Sequence, residues 1–443
     1  MKTKYTYLIL FQLIFAITWA QKEIIKAGPM LGYSDFREVL IWIQTTEEAD
    51  VVIAYTNQKG ETKYTTSQKT LEENYFTTKI YPRPLEYGET YSYEVLVNNQ
   101  KIDFDYDLEF ESLALWQYRT DPPDFSFALG SCFYANETKD DRPGKPYGAK
   151  YEIFNSILDK DPNFMVWLGD NVYLRVPDFL TEYGLNHRYK HTRSTKELQP
   201  LLASVHHYAT WDDHDYGPNN SDKTYANKKI TQELFNQYWG NLNTDVVGNG
   251  GITSHFLWHD VEFFMMDNRY HRDSNDLKTG NKAYFGEEQL DWLINALATS
   301  NATFKIVANG GQVVSDYNNY ENFASYPDER NELLRRLEEN KIEGVLFLSG
   351  DRHHSEVSRM ERDKAYPLID FTCSSLTSGT HAARDEANSY RLKDKTYFDR
   401  NFGIINVSGE RKNRELVLTI YDTEGKKVWD YKIMASDLRY KKQ

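Results

Sequence analysis

Four short apolar runs dominate the first hundred residues: 37–45 (REVLIWIQT), 49–57 (ADVVIAYTN), 75–81 (YFTTKIY) and 90–99 (TYSYEVLVNN). Each is of strand length and rich in β-branched and aromatic residues, and turn material such as Gln58-Lys59-Gly60 separates them. No helical period interrupts the series, so residues 21–120 read as a small all-β sandwich, immunoglobulin-like or fibronectin-like. No cluster of catalytic side chains lies in this part, which predicts a spacer or packing role.

Asp121-Pro122-Pro123-Asp124 closes the segment, because consecutive prolines stop both strands and helices. From 124 to 443 the pattern changes. Strand-length apolar runs at 125–130 (FSFALG), 164–169 (FMVWLG), 205–211 (VHHYATW), 261–266 (VEFFMM), 304–309 (FKIVAN) and 344–350 (GVLFLSG) are separated by other stretches, with helical periods near 147–159, 223–242, 286–297 and 328–340. Runs at 367–373 and 403–409, and the pair ELVLTIY and KVWDYKI, add strands at the C-terminal side. Continuously apolar strands between amphipathic helices predict buried sheets covered by helices, in one α/β domain.

Composition narrows the class. With 33 Tyr, 23 Phe and 9 Trp in 443 residues the chain has ample material for a large core and is not a disordered one. Residues 1–20 carry Lys2 and Lys4, then an apolar run from Tyr7 to Trp19 broken by Gln12 and Thr18, then Ala20. That is the pattern of a secretory signal peptide, too short to span a bilayer comfortably, and no later segment spans either. The expected destination is the periplasm, the cell surface or the outside. A formal net charge of −14 disfavours a nucleic-acid scaffold held by counterion release. The two cysteines, Cys132 and Cys373, offer at most one bridge to a core of this size, which leaves either thiol open to a chemical role.

The chemistry stands where the strands end. Ser131-Cys132 follows FSFALG, Asp170-Asn171-Val172-Tyr173 follows FMVWLG, and Asp212-Asp213-His214-Asp215 follows the run into Trp211. Asp267-Asn268-Arg269, Gly310-Gly311-Gln312 and Asp351-Arg352-His353-His354 follow the other three. Ligands of α/β sheets bind beyond the carboxyl ends of the strands, so six such termini predict one shared crevice. Crowded carboxylates stay ionised only when cations or water neutralise them, and mixed O, N and S donors suit iron or zinc, beside calcium or manganese at the carboxylates. A thiolate and a phenolate together favour a trivalent iron. Such a centre supports phosphoester hydrolysis, with a histidine to protonate the leaving alcohol and Arg269 and Arg272 to hold phosphate oxygens. A calcium-dependent carbohydrate-binding or adhesion protein without catalysis is the alternative, and His214 and the thiol argue against it because calcium sites need neither.

GSCFY (130–134), WLGDNVY (167–173), TWDDHDYGPNNSD (210–222), DNRYHRD (267–273), GEEQLDWL (286–293) and LSGDRHHSEV (349–358) resemble the PhoD-like alkaline phosphatase/phosphodiesterase family of metallophosphoesterases, in the right order along the whole catalytic part. The resemblance implies a four-layer core of two sheets flanked by helices over 124–443, preceded by the small β domain, with iron and calcium at the site. It implies Cys132, Asp170, Tyr173 and His353 on the iron side, and Asp170 bridging to a second metal with Asp213 and Asp351. His214 falls where that superfamily keeps its catalytic imidazole. Asp212 and Asp213 both remain candidates for the ligand of the DDHD run, and His353 is favoured over His354 for its Asp-x-His spacing. The implied substrate is a small or polymeric phosphate ester, hydrolysed as a monoester, a diester or both.

Overall fold

The most apolar runs become the inner strands of two large sheets. The structure, a computed structural model, describes residues 24–135, 137–278 and 280–441; the expected signal peptide at 1–20 lies outside them. Among the described residues one sheet has nine strands, in the order Lys427–Met434, Glu415–Asp422, Asn401–Ser408, Phe125–Gly130, Phe164–Leu168, His206–Thr210, Ile25–Ser34, Val39–Thr45 and Thr77–Ile80. The other has seven: Ser254–Trp258, Val261–Met265, Phe304–Asn309, Val345–Ser349, Leu368–Thr372, Ser355–Met360 and Arg391–Tyr397. At the heart of each, neighbouring strands run parallel: Phe125–Gly130, Phe164–Leu168 and His206–Thr210 in one, and Val261–Met265 through Val345–Ser349 to Leu368–Thr372 in the other.

Alternation along these strands explains the layering. Phe164 stacks on Phe127 at 4.9 Å and meets Phe263 of the second sheet edge-on at 5.4 Å, so these rings lie between the sheets. Trp167, three residues on, points the other way and packs on Phe154 of the helix Ile153–Leu158 at 6.2 Å. Phe264, next to Phe263, packs on Trp292 of the helix Glu287–Thr299 at 6.1 Å. The period of two thus places one residue in the shared core and its neighbour under an outer helix. Each of the fully buried phenylalanines contributes about 1.5–3 kcal/mol.

The N-terminal segment is all-β apart from a single 3₁₀ turn, but its two layers are not a sandwich on their own. Ala49–Asn57, Thr90–Val97 and four shorter strands form a separate six-stranded sheet. The layer that faces it, Ile25–Ser34, Val39–Thr45 and Thr77–Ile80, is the edge of the nine-stranded sheet, joined by the parallel pairing of Leu31 with His206. Val39–Thr45 is therefore buried on both faces: Ile41 and Ile43 join the small core, while Leu40 and Trp42 join the large one. A run as apolar as VLIWI needs two covered faces, and the sheet continuation supplies the second.

The helix Glu182–Arg193 carries no apolar stripe, and its sequence does not announce it. Thr181 caps it by accepting from the Gly184 N–H at 3.1 Å. Its buried face holds Arg188 and Arg193 beside Leu185 and Tyr189. Asp178, Glu137 and Asp140 surround Arg188 at 2.9–3.2 Å, and Arg193 lies 4.0 Å over the Trp239 ring. Ion pairing and cation–π contact replace apolar burial there, which a hydropathy period cannot register. No described helix is long and apolar enough to cross a membrane.

Candidate metal centre and cleft

Glycines let the two parallel sets meet at their carboxyl ends. A Cβ on Gly350 would lie 2.3 Å from the Leu168 carbonyl and 2.6 Å from Ser131, and one on Gly310 would lie 2.6 Å from Asp212. With those side chains absent, Cys132, Asp170, Asp213, His214, Asp351 and His353 converge from both sheets. Cys132, Asp170, Asp351 and His353 all have positive φ, between 54° and 65°. Such a conformation costs an L-residue roughly 1–3 kcal/mol, and four of them around one point mark a site where position outweighs local comfort.

Two sets of donor atoms lie close enough for a shared ion: Cys132, Asp170 and His353, and Asp170, Asp213 and His214. Asp170 belongs to both. Tyr173 donates to Asp170 Oδ2 at 3.0 Å, and its hydroxyl lies 3.3 Å from His353 Nε2. The Cys132 thiol lies 3.6 Å from Asp170 Oδ2 and accepts from Ser374 at 3.1 Å. Asp213 accepts from the Asn220 N–H at 2.7 Å through Oδ2, while its Oδ1 is buried with no hydrogen-bond partner. The Asp351 side chain lines the cleft beside this cluster, outside both sets. His353 turns Nε2 to Tyr173 and Nδ1 to the Tyr147 hydroxyl at 3.1 Å, whereas His354 is tied to the Arg352 carbonyl and Glu356 and faces away.

The electrostatics call for cations. Burial, then Asp213, Asp212 and Asp351, drives the Asp170 pKa well above the usual carboxylate range. Burial, then Asp170 and Asp351, likewise pushes the Cys132 thiol up. Burial, then His214, lowers His353 to about 3, which keeps its imidazole neutral as a metal ligand requires. A carboxylate shared by two donor sets, a buried Asp213 oxygen with no hydrogen bond and only Arg269 at 3.9 Å, and a thiol among acids fit bound metal ions, since cations would release the repulsion. A third acid–imidazole group, Glu137, Asp140 and His187, is different: Arg188 and Lys139 already neutralise it.

The DDHD run divides its work. Asp215 accepts from the backbone of Asn171, Val172 and Asp212 at 2.9–3.1 Å and holds the loop. Asp212 is fully buried and takes Arg269 at 2.5 Å and Asn268 at 2.8 Å, and it belongs to neither donor set. Asp213 is thus the member that faces Asp170, while Asp212, the other candidate of the run, pairs with Arg269. Neither of the two arginines expected to hold phosphate oxygens is among the described residues that line the cleft. The Arg269 guanidinium is spent on Asp212 and on Glu321 at 2.6 Å, and Arg272 lies 4.6 Å from the Tyr284 and Tyr326 ring centroids. Cys132 and Cys373 are free thiols, the latter pointing to the Leu129 carbonyl.

Glu321, Arg352, Tyr147 and Glu356 escaped the sequence reading. Tyr147 stands at the start of the helical period near 147–159, which does not mark it as a cleft residue, and Glu321 lies in an Asn-rich loop with no periodicity. Glu356 is the hub behind the centre, fully buried and bonded to His354, Gln312, Asn388 and Arg391. Burial opposes its charge, but His354 and Arg391 win and hold its pKa at about 2. A folded pKa below the unfolded value stabilises at pH above about 4.5, and that contribution is lost as pH falls through about 2. Glu356→Gln is expected to cost about 3–5 kcal/mol at pH 7, the penalty for stranding a buried partner, with a smaller gap to wild type at pH 3. Chemical denaturation at the two pH values checks this, and a gap independent of pH contradicts it.

The carboxylates open on a cleft of about 950 Å³ whose walls include Tyr147, His214, Asn220, Tyr320, Glu321 and Arg352. His214 stacks on Tyr173 with centroids 4.3 Å apart, and its Nδ1 is buried without a partner.

A family model described as PhoD-like phosphatase matches residues 127–415. A second, described as a domain of unknown function (DUF7800), matches 22–114. The protein named Alkaline phosphatase D of Bacillus subtilis (strain 168) is 24% identical over 280 residues, covering 55% of this chain and 48% of that protein. The chain thus spans about half the length of the curated relative it matches. Among solved structures, one titled Structure of PhoD superposes with a TM-score of 0.74 at 16% identity, covering 92% of each chain. Purple acid phosphatase PPD1 from yellow lupin (Lupinus luteus) seeds superposes with a TM-score of 0.66 at 12% identity, covering 93% of this chain and 75% of that one. At such identities the two superpositions establish the fold.

Proposed function

Because the chain belongs to the PhoD-like phosphatase family, whose model covers residues 127–415, we propose that it is an exported metal-dependent hydrolase of phosphate mono- or diesters. The observation that carries this reading is Asp170, one buried carboxylate within reach of a thiol–imidazole set on one side and a carboxylate–imidazole set on the other. In this reading Cys132, Asp170, Tyr173 and His353 would hold a ferric ion, and Asp170, Asp213 and Asp351 would hold a second ion, calcium or another divalent metal. Bound there, the metals supply Lewis acidity at the phosphoryl oxygens.

His214 then serves as general acid. Nδ1 is enclosed, so Nε2 is the nitrogen left to carry a proton to the leaving alcohol oxygen, and the Tyr173 ring fixes the plane of the imidazole. Asn220 orients Asp213 through its backbone, and Tyr147 orients His353 through Nδ1. Two sheets face to face under outer helices suit the four-layer metallophosphoesterase arrangement. Export rests on residues 1–20.

Purified, metal-loaded protein is expected to hydrolyse p-nitrophenyl phosphate or bis(p-nitrophenyl) phosphate, and exhaustive chelation is expected to lower that rate by at least about a hundredfold. Full activity after metal removal, verified by elemental analysis, would refute the metal dependence. No hydrolysis of either ester by the loaded protein would refute the phosphoesterase reading itself.

A further inference from the structure

The Cys132 sulfur has a hydroxyl aimed at it from the other sheet. Ser374 stands two residues beyond the strand Leu368–Thr372 and is fully buried. Its Oγ accepts from the His353 N–H at 3.0 Å and donates to Cys132 Sγ at 3.1 Å. A serine hydroxyl has a single proton to give, and among the described residues this one has no other acceptor. The two residues it joins, Cys132 and His353, belong to the same donor set.

Two features commit that proton to sulfur. Ser131 also lies near Cys132 Sγ, at 3.5 Å, but its hydroxyl is closer to the Cys373 carbonyl, at 3.0 Å, and a carbonyl oxygen is the stronger acceptor. Ser374 itself is held on both sides: its N–H donates to Ser355 Oγ at 3.2 Å, its carbonyl accepts from the Asn401 amide at 2.8 Å, and the Ser355 hydroxyl donates to Asn401 Oδ1 at 2.5 Å. All three residues are buried, so the network fixes where the Ser374 hydroxyl stands. The other members of this donor set have outer partners too, Asp170 in the His214 N–H at 3.3 Å and His353 in the Tyr147 hydroxyl at 3.1 Å. For the thiol that partner is Ser374.

Resting on the phosphoesterase reading and its thiolate–iron assignment, we infer that Ser374 is a positioning residue of the metal centre, whose hydroxyl donates to the Cys132 thiolate and sets how strongly that sulfur donates charge to a ferric ion. Thiolate is the softest of the four candidate ligands on the iron side, and a hydrogen bond to it draws charge off the sulfur. The ferric ion then keeps more of its Lewis acidity, and its reduction potential rises. The same hydroxyl accepts from the His353 N–H, so one side chain ties the place of the imidazole to the charge on the sulfur.

The test reads iron-loaded wild type, Ser374→Ala, Ser131→Ala and Cys132→Ser by visible absorption, resonance Raman and redox titration. Wild type is expected to show a sulfur-to-iron charge-transfer band that Cys132→Ser lacks, and an iron–sulfur stretch that shifts after full exchange into heavy water. Ser374→Ala is expected to move the band to longer wavelength, lower the reduction potential and lose the heavy-water shift, while Ser131→Ala keeps all three wild-type values. A Ser374→Ala protein with the band, potential and shift of wild type overturns the inference and leaves the serine a partner for the His353 N–H alone. If Ser374→Ala does not fold, the other two proteins decide: a stretch indifferent to heavy water in wild type overturns the inference, and one that shifts equally in wild type and Ser131→Ala supports it. A wild type that lacks the sulfur band yet hydrolyses p-nitrophenyl phosphate brings down the thiolate ligand and this inference together, and leaves the phosphoesterase reading intact. Failure to hydrolyse any phosphate ester, with the band and its shifts as expected, brings down the phosphoesterase reading alone.

Discussion

His214→Ala is expected to lower turnover of a phosphate ester by about a hundredfold to ten-thousandfold while metal content stays close to that of wild type, the range typical of a lost general acid. The geometry separates the side chain from the scaffold here. His214 touches Asp170 through its backbone N–H, 3.3 Å from Oδ1, and alanine keeps that contact. The imidazole itself stacks on Tyr173 and opens on the cleft. A leaving group that needs no proton, such as p-nitrophenolate, should suffer less than an alkyl alcohol. Elemental analysis beside the rate measurement decides the matter: a variant that loses metal in proportion to activity makes His214 a ligand, an arrangement its proximity to Asp170 and Asp213 permits.

Asp170→Asn is expected to abolish activity and metal binding together, and to stabilise the metal-free protein. The first effect follows because Asp170 is the carboxylate common to both donor sets. The second follows from sign. In the metal-free fold, burial and the neighbouring carboxylates raise the Asp170 pKa well above its unfolded value. Ionisation therefore favours the unfolded chain at neutral pH, and the penalty disappears below about pH 4. An asparagine removes the charge and keeps an acceptor for the Tyr173 hydroxyl. Metal should raise the melting temperature of wild type, by about 4 kcal/mol of stabilisation at a thousandfold excess over Kd, and leave the variant unmoved. Melting curves with and without metal test both halves. A metal-free variant less stable than metal-free wild type at pH 7 would mean that Asp170 contributes more by its hydrogen bonds than it costs by its charge.

The local grammar of the chain carried much of this architecture. The runs FSFALG, FMVWLG, VEFFMM, FKIVAN and VLFLS are all inner strands, because a strand covered on both faces must be apolar at nearly every position. The amphipathic stretches near 286–297 and 328–340 are the helices Glu287–Thr299 and Pro327–Glu339. The reading near 147–159 was too long: the helix is confined to Ile153–Leu158, since Tyr147 is drawn to His353. Ser355–Met360 and Arg391–Tyr397 passed unnoticed as strands because their polar residues face the Glu356 network or solvent.

By itself the sequence determined that strands ending in thiol, carboxylate, phenol and imidazole groups belong to an α/β core, and four of the six expected ends, those after Gly130, Leu168, Thr210 and Ser349, bring such groups together. Composition, strand length and the residue after each strand are local properties, and they persist in any packing of those strands. The tertiary structure alone decided how the groups are used. Asp212 and Asp213 are adjacent, yet one is taken by Arg269, 57 positions away, and the other faces Asp170. His353 and His354 part in the same way, one toward Tyr173 and one toward Glu356. Arg269 lies between two acids, Asp212 and Glu321, the latter at 2.6 Å. A charged group's role depends on which opposite charge packing brings to it, and Coulomb energy at a few ångströms is set by distance in space, which separation along the chain does not encode.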